Sequence, residues 1–267
     1  MTDKPTVDCR VVHFSCGAAS AIAAKLTLTK HPDALVVNAF VAEEHPDNRR
    51  FLADVERWTG KPITVLRQER DGASAYAIMR REHYITGIRG AAPCSRQLKR
   101  ELLDAWSPPN AVHVLGYTAE EARRAERVED ANNKRFEFPL IDAGLTKADC
   151  LAMLHRADIE PPAMYALGYN NANCIGCPHG GMGYWNKIRR DFPERFAEMV
   201  AIEAMIGPTA YLFYNRETGG RFPLTELDPN AGRHNVVSPE CGFFCLMAEN
   251  VINAADATKD LPPAGME

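Results

Sequence analysis

The sequence predicts a doubly wound α/β fold, a parallel sheet with helices on both faces, and three observations carry that expectation. Short β-branched runs alternate with amphipathic stretches, the first such run breaks at small residues before an alanine-rich segment, and a later run ends in glycine. In such sheets ligands sit beyond the carboxyl ends of the strands, where the strand order reverses. The loops at Ser15, Glu43 and Gly116 are therefore expected to share one crevice.

Residues 10–14 form the first apolar run, which breaks at Ser15-Cys16-Gly17 before the helical stretch 18–28. A second run, 34–41, is followed by the acidic loop Glu43-Glu44-His45-Pro46-Asp47. Phe51, Leu52, Val55 and Trp58 then recur at helical spacing across 48–59. Residues 62–66 and 111–116 supply the third and fourth strands. The stretch 69–97, with Gly72, Gly87, Gly90 and Pro93, reads as irregular and flap-like. Thr146 is placed to cap a helix that begins at Lys147, with Leu151, Met153 and Leu154 on its apolar face. Beyond about residue 165 the pattern changes to a Gly- and Cys-rich segment, an aromatic helix over 184–206 and a polar tail. This divides the chain into an α/β unit, 1–165, and a Cys-rich extension, 166–267, expected to pack on the same site.

A chain of 267 residues with 46% hydrophobic and 25% charged residues supports a substantial core. The formal charge of -4 offers no general attraction to phosphate backbones, so a nucleic-acid partner would need a local basic patch. No apolar run is long enough to span a membrane, and the first residues lack the apolar stretch of a secretory signal, so the expectation is a cytoplasmic protein without a membrane partner. In that compartment eight cysteines point to metal or redox chemistry rather than to four structural disulfides.

The loop Ser15-Cys16-Gly17-Ala18-Ala19-Ser20 lies between a strand and a helix, where backbone N–H groups approach an anion and the helix terminus adds positive potential. Tight strand–helix packing is the alternative. Arg123 and Arg124 follow a strand's carboxyl end, where a guanidinium can grip a phosphate or sulfate; the alternative is a solvated helix face. The loop resembles the S-G-G-x-D-S phosphate loop of the adenine nucleotide α-hydrolase superfamily, with Cys16 for the first glycine and Ala19 for the aspartate. The likeness continues through residues 41–48 with Phe51, Gly116-Tyr117-Thr118-Ala119-Glu120-Glu121-Ala122-Arg123-Arg124, Phe138-Pro139-Leu140-Ile141-Asp142, and Leu145-Thr146-Lys147-Ala148-Asp149. It goes on through Pro161-Pro162-Ala163-Met164-Tyr165 with Gly168-Tyr169, and Cys174-Ile175-Gly176-Cys177. In that order, over roughly residues 10–180, the chain resembles the PAPS reductase family. The resemblance implies an adenine nucleotide (PAPS, APS or ATP) held by residues 15–20, Glu43 and Gly116. The missing loop aspartate counts against ATP cleavage.

Cys174 and Cys177 have the spacing by which two thiolates grip one metal or cluster. Cys94, in Cys94-Ser95-Arg96-Gln97-Leu98-Lys99, resembles the cysteine-to-lysine motif of cluster-bearing APS reductases. Glu240-Cys241-Gly242-Phe243-Phe244-Cys245 resembles the C-terminal motif whose cysteine attacks the sulfate sulfur. The resemblance implies Cys94, Cys174, Cys177 and Cys245 on a 4Fe–4S cluster, with Cys241 as nucleophile. A four-thiolate zinc site that includes Cys241 and releases Cys94 is the competing assignment. Cys9 and Cys150 read as structural, and Cys16 as loop filling. Tyr184, Trp185, Phe192 and Phe196 read as core, and His179 as either a ligand or an exposed loop residue.

The expected reaction is attack of Cys241 on a bound sulfonucleotide, with Lys99, Arg123 and Arg124 supplying positive charge and a thiol reductant such as thioredoxin releasing sulfite. The alternative is an ATP-dependent iron-sulfur sulfurtransferase that thiolates a nucleic acid. A homodimer is left open.

Overall fold

A computed structural model describes residues 9–86, 92–130, 134–215, 217, 219–233, 248–249, 251–253 and 255–256. Five parallel strands form the central sheet: β1 (Arg10–His13), β2 (Leu35–Ala39), β3 (Ile63–Leu66), β4 (Val112–Val114) and β5 (Arg135–Glu137), in the order β3-β2-β1-β4-β5. The order reverses between β1 and β4, which pair with Val11 opposite His113. The fifth strand was not expected. It is only three residues of Arg-Phe-Glu, too short and too polar for periodicity to reveal, and it is held by register with β4.

Alternation along the strands loads both faces. Val12, Val36 and Val114 pack under α1 (Ala18–Lys30), α2 (Asn48–Thr59) and α8 (Lys147–Arg156). Val11, Val37 and Ala39 pack on the opposite side with Leu103 of α5 (Glu101–Trp106). Helices therefore cover both faces, as the sequence predicts. Thr146 caps α8 as expected: its Oγ1 accepts from Asp149 N at 3.1 Å, and the Asp149 carboxylate accepts from Thr146 N at 2.9 Å.

The stretch expected to be irregular contains a helix, α3 (Ala75–Glu82). Gly72 and Ala73, both with positive φ, turn the chain, and Ser74 caps the helix by accepting from Ala77 N at 3.0 Å. Tyr76, Ile78 and Met79 are buried in a second core, built with α10 (Met182–Asp191) and α11 (Pro193–Ile206). The single aromatic helix expected over 184–206 is two helices, because Pro193 cannot continue the hydrogen-bond ladder and opens α11 instead. Trp185 is fully buried there and Phe192 and Phe196 pack against it, the core role expected of them. Both α3 and Leu98 come from the first half of the chain, so this core joins the two halves of the sequence.

Between α3 and α5 lies α4 (Pro93–Ser95), followed by a π-helical turn, Arg96–Arg100. The remaining described helices are α6 (Ala122–Asp130), α7 (Pro139–Asp142) and α9 (Ala163–Ala166), and β6 (Phe213–Asn215) pairs antiparallel with β7 (Gly220–Phe222). Near the C-terminus Ala248 and Ile252 sit in the α1–α8 core, and Asp256 pairs at 2.8 Å with the buried Lys25 of α1. Among the described residues no helix is long and apolar enough to cross a membrane.

Candidate functional site

A crevice of about 740 Å³ opens beyond the carboxyl ends of β1 and β4, where the strand order reverses. Ser15, Gly17, Ala19, Ser20 and Gly116 line it. The loop before α1 is ordered by Ser20: its Oγ accepts from Ser15 N at 3.2 Å and Gly17 N at 3.3 Å and donates to Gly17 O at 2.9 Å. Ala18 does not line the crevice; its N–H donates to the Tyr165 hydroxyl at 3.2 Å. No acidic residue stands in the first turn of α1, so the helix itself does not neutralise the positive end of its dipole. Gly116 has no room for a side chain, since a Cβ there would lie 2.8 Å from Ser20 Cα and 2.9 Å from Ser20 N. Two loops from neighbouring strands thus meet backbone to backbone.

Cys16 adopts φ 55 and is fully buried beneath this loop. Asn38 Nδ2, which donates to Phe14 O at 2.8 Å, and an Arg49 N–H both approach its sulfur. Burial first, and Glu44 second, push the thiol up to about 12, so Cys16 fills the loop and presents no thiolate at neutral pH.

Glu43 was expected to face the nucleotide. Instead its carboxylate is buried at the start of α3, accepting from Ser74 Oγ at 2.5 Å and Ala75 N at 2.8 Å, because those donors would otherwise be orphaned. The adjacent Glu44 lines the crevice. Burial raises its carboxyl pKa, opposed by Lys99, Asn48 and Arg49. Arg124 also lines the crevice, where it donates to Glu121 at 2.6 Å and lies 4.4 Å over the Tyr117 ring. Arg123 is exposed and does not line it.

Lys99 reaches the crevice from the π-helical turn. Burial works against its charge, but Cys174, Glu44, Cys177 and Cys94 outweigh burial and raise its pKa. The three cysteines are half-buried and interact electrostatically with one another. Burial pushes Cys94 up to about 11 and raises Cys174 and Cys177, while Lys99 acts in the opposite direction on all three. They hold protons at neutral pH unless a cation takes their place.

The loop between the last two thiols is held by two tyrosines that sequence reasoning placed only in the core or passed over. Tyr184 Oη accepts from Gly176 N at 2.9 Å and Cys177 N at 3.1 Å and donates to Cys174 O at 2.9 Å. Tyr76 Oη donates to Gly176 O at 3.1 Å. Gly176 has φ 76, and a Cβ there would lie 2.0 Å from the Tyr76 hydroxyl. Ile175 N donates to Glu43 O at 2.8 Å, so the loop is tied to the residue whose side chain caps α3. Soft thiols, backbone freedom at Gly176 and a fixed loop suit a thiophilic metal or cluster in kind. Among the described residues no three His, Cys, Asp or Glu side chains stand at metal-binding spacing. Cys241 and Cys245 lie outside the described residues. His179 is exposed, Cys150 is fully buried within α8, and Cys9 is half-buried.

No protein-family model matches the chain, and no curated protein matches it significantly.

One further feature escaped the sequence. His13 Nε2 and His113 Nδ1 stand 2.9 Å apart on the β1–β4 seam, and both rings line the crevice. Its trace in the sequence is a histidine at the same-face position of two strand candidates.

Proposed function

We propose that this chain is an adenine-nucleotide-binding enzyme of the PAPS reductase type, built on an adenine nucleotide α-hydrolase fold with a C-terminal Cys-containing extension. The observation that carries the reading is Lys99, which lines the same crevice as the loop before α1 and faces the Cys94, Cys174 and Cys177 thiols. A group that must meet both an anionic nucleotide and a thiol centre belongs there.

In this reading the N–H groups of Ala19 and Ser20 in the first turn of α1 and the Ser15 hydroxyl receive the phosphate, with Ser20 Oγ holding the loop in shape. Gly116 leaves the room, and Lys99 and Arg124 neutralise the sulfate. The Cys241 thiolate attacks the sulfate sulfur; a sulfur–sulfur bond forms, the sulfur–oxygen bond to phosphate breaks, and AMP or PAP departs with the electron pair. A dithiol reductant such as thioredoxin then takes up the oxidation as its disulfide, releasing sulfite and restoring the Cys241 thiol. Cys94, Cys174, Cys177 and Cys245 would hold a 4Fe–4S cluster, whose thiolate charge Lys99 would offset beside the bound anion.

A second reading, an ATP-dependent sulfurtransferase acting on a nucleic acid, is favoured by Glu44. Ala19 leaves the loop without an acid, but the Glu44 carboxylate lines the crevice and could take a magnesium ion. Anaerobically purified protein, assayed for iron, sulfide and zinc and then incubated with APS, PAPS or ATP, separates the two. Sulfite from a sulfonucleotide, lost in Cys241→Ser, is the expected result. Pyrophosphate from ATP without sulfite transfers the assignment to the sulfurtransferase.

A further inference from the structure

The three thiols beside Lys99 differ in their hydrogen-bond surroundings. The His179 amide donates to the Cys177 sulfur, and the Ser95 amide donates to the Cys94 sulfur. Among the described residues no N–H donates to the Cys174 sulfur.

The donors that could serve Cys174 are the amides of the turn it opens, and each of them is spent elsewhere. Ile175 N donates to Glu43 O at 2.8 Å. Gly176 N and Cys177 N both point to the inside of the turn, where they meet one oxygen, Tyr184 Oη, at 2.9 and 3.1 Å. The proton of that hydroxyl goes to Cys174 O at 2.9 Å, so the oxygen has its full complement of two bonds accepted and one donated. The next residue, Pro178, has no N–H to offer.

The arrangement is built in, because two glycines each make room for one tyrosine. A Cβ at Gly180 would lie 2.0 Å from the Tyr184 ring, and one at Gly176 would lie 2.0 Å from the Tyr76 hydroxyl. Tyr184 stands in the first turn of α10, with Tyr169 and Trp185 edge to face on its ring at 5.9 and 6.0 Å. The hydroxyl is thus held in the turn by packing as well as by its own bonds.

A hydrogen bond to a ligating sulfur withdraws charge from it, and such bonds are among the levers that set the donor strength of a thiolate and the potential of a cluster. Cys94 and Cys177 have an amide to share their charge with, and Cys174 has none. Its compensation falls to Lys99, on which Cys174 exerts the largest of the thiol influences. Lys99 also lines the crevice, so one ammonium answers both to this sulfur and to a bound anion.

We infer that Tyr184 is a positioning residue of the thiol centre: by holding the Gly176 and Cys177 amides on its hydroxyl it keeps hydrogen bonds off the Cys174 sulfur, and so makes Cys174 the most strongly donating of the three thiolates toward a bound thiophilic metal or cluster. The inference rests on the metal-bearing part of the reading above and adds a residue which that reading leaves without a role.

The test uses the full chain loaded anaerobically with an NMR-active cadmium isotope, because coupling between cadmium and a neighbouring amide proton is carried by a hydrogen bond to a ligating sulfur. In the wild type the His179 amide should couple to the metal and the Gly176 amide should not. Tyr184→Phe keeps the ring and removes the oxygen. In that variant the Gly176 coupling should appear, and the thiolate-to-metal absorption of the cobalt(II)-loaded protein should move to shorter wavelength as the Cys174 sulfur gains a hydrogen bond. Tyr76→Phe removes the other hydroxyl at the turn but frees no amide, so it should do neither, which separates withheld amides from a loosened loop. Equal behaviour of the His179 and Gly176 amides in the wild type would overturn the inference, and that measurement needs no variant to fold. A folded, metal-loaded Tyr184→Phe that gains no Gly176 coupling, or a Tyr76→Phe that gains it equally, would do the same. A folded wild type that takes up neither iron, zinc, cobalt nor cadmium would remove the metal centre from the reading above, and this inference with it.

Discussion

Burial decides what several ionisable side chains in this protein do, and the His13–His113 pair gives that a measurable sign. His13 is held near pH 4 by burial, against an ordinary value of 6.5, so the folded state prefers its neutral form. The unfolded chain takes up the proton at higher pH. The contribution of His13 to stability is therefore fully present above about pH 6.5 and is lost as the pH falls through 4. Urea unfolding at intervals from pH 7 to pH 4 should show stability falling across that window, and falling less steeply in His13→Asn; identical slopes would mean that His13 is not the titrating group. The same physics answers the loop cysteine. A thiol at a helix N-terminus is ordinarily activated, but Cys16 lies beneath the loop rather than on it, and burial outweighs the helix field. Its position could be read as loop filling from the small residues around it. The histidine pair could not, because an alternating strand pattern does not say which strands will be neighbours.

At the scale of elements, α3 shows how a site residue and a structural residue exchange places. Of the two adjacent carboxylates in the acidic loop after β2, Glu44 lines the crevice and Glu43, the one expected there, is buried at the start of α3. Successive residues point in different directions, and only the position of α3 settles which carboxylate caps it. Glu43→Gln should cost about 1–3 kcal/mol, because an amide N–H₂ then faces N–H donors in a buried site. The loss should exceed that of Glu44→Gln, as measured by thermal melts of the two variants. A larger effect at Glu44 would mean that the capping arrangement is not what holds α3. The hairpin-like turn of Gly72 and Ala73 and the Ser74 cap were in the sequence, but the glycines around them hid the eight-residue helix. By contrast α1, α2 and α8 were legible from spacing and capping alone, since their apolar faces or capping residues are local properties.

Across the whole molecule, segments far apart in the chain come together: the crevice takes in the loop before α1, Gly116, Lys99 and residues 171–173, and Lys99 also interacts with the thiols of the Cys174–Cys177 turn that follows. The first two are seated on the sheet, and Lys99 and the turn are seated on the second core. That core, with α3 and Leu98 against α10 and α11, is a tertiary fact that no local pattern records, which is why the sequence suggested a boundary near residue 165 where the structure has shared packing. The coupling of the two strand-end loops is testable at Gly116. A Gly116→Ala methyl would press on the backbone of Ser20, so nucleotide affinity should fall at least 10-fold, more than the accompanying loss of stability explains. Wild-type affinity for AMP in a folded Gly116→Ala protein would show that the two loops can part without consequence.

The π-helical turn at Arg96–Arg100 adds a last consequence. Such a turn accommodates one residue more than an α-helix of the same span, and it leaves Leu98 in the second core while Lys99 faces the crevice. Removing a single residue from this turn would let the helix run on without interruption while advancing its angular phase by about 100°. The ammonium would then sweep away from the thiols, although no amino acid at the site had been substituted. An insertion or deletion of one residue is thus a route by which descendants of this chain could gain or lose the charge between nucleotide and cysteines in one step.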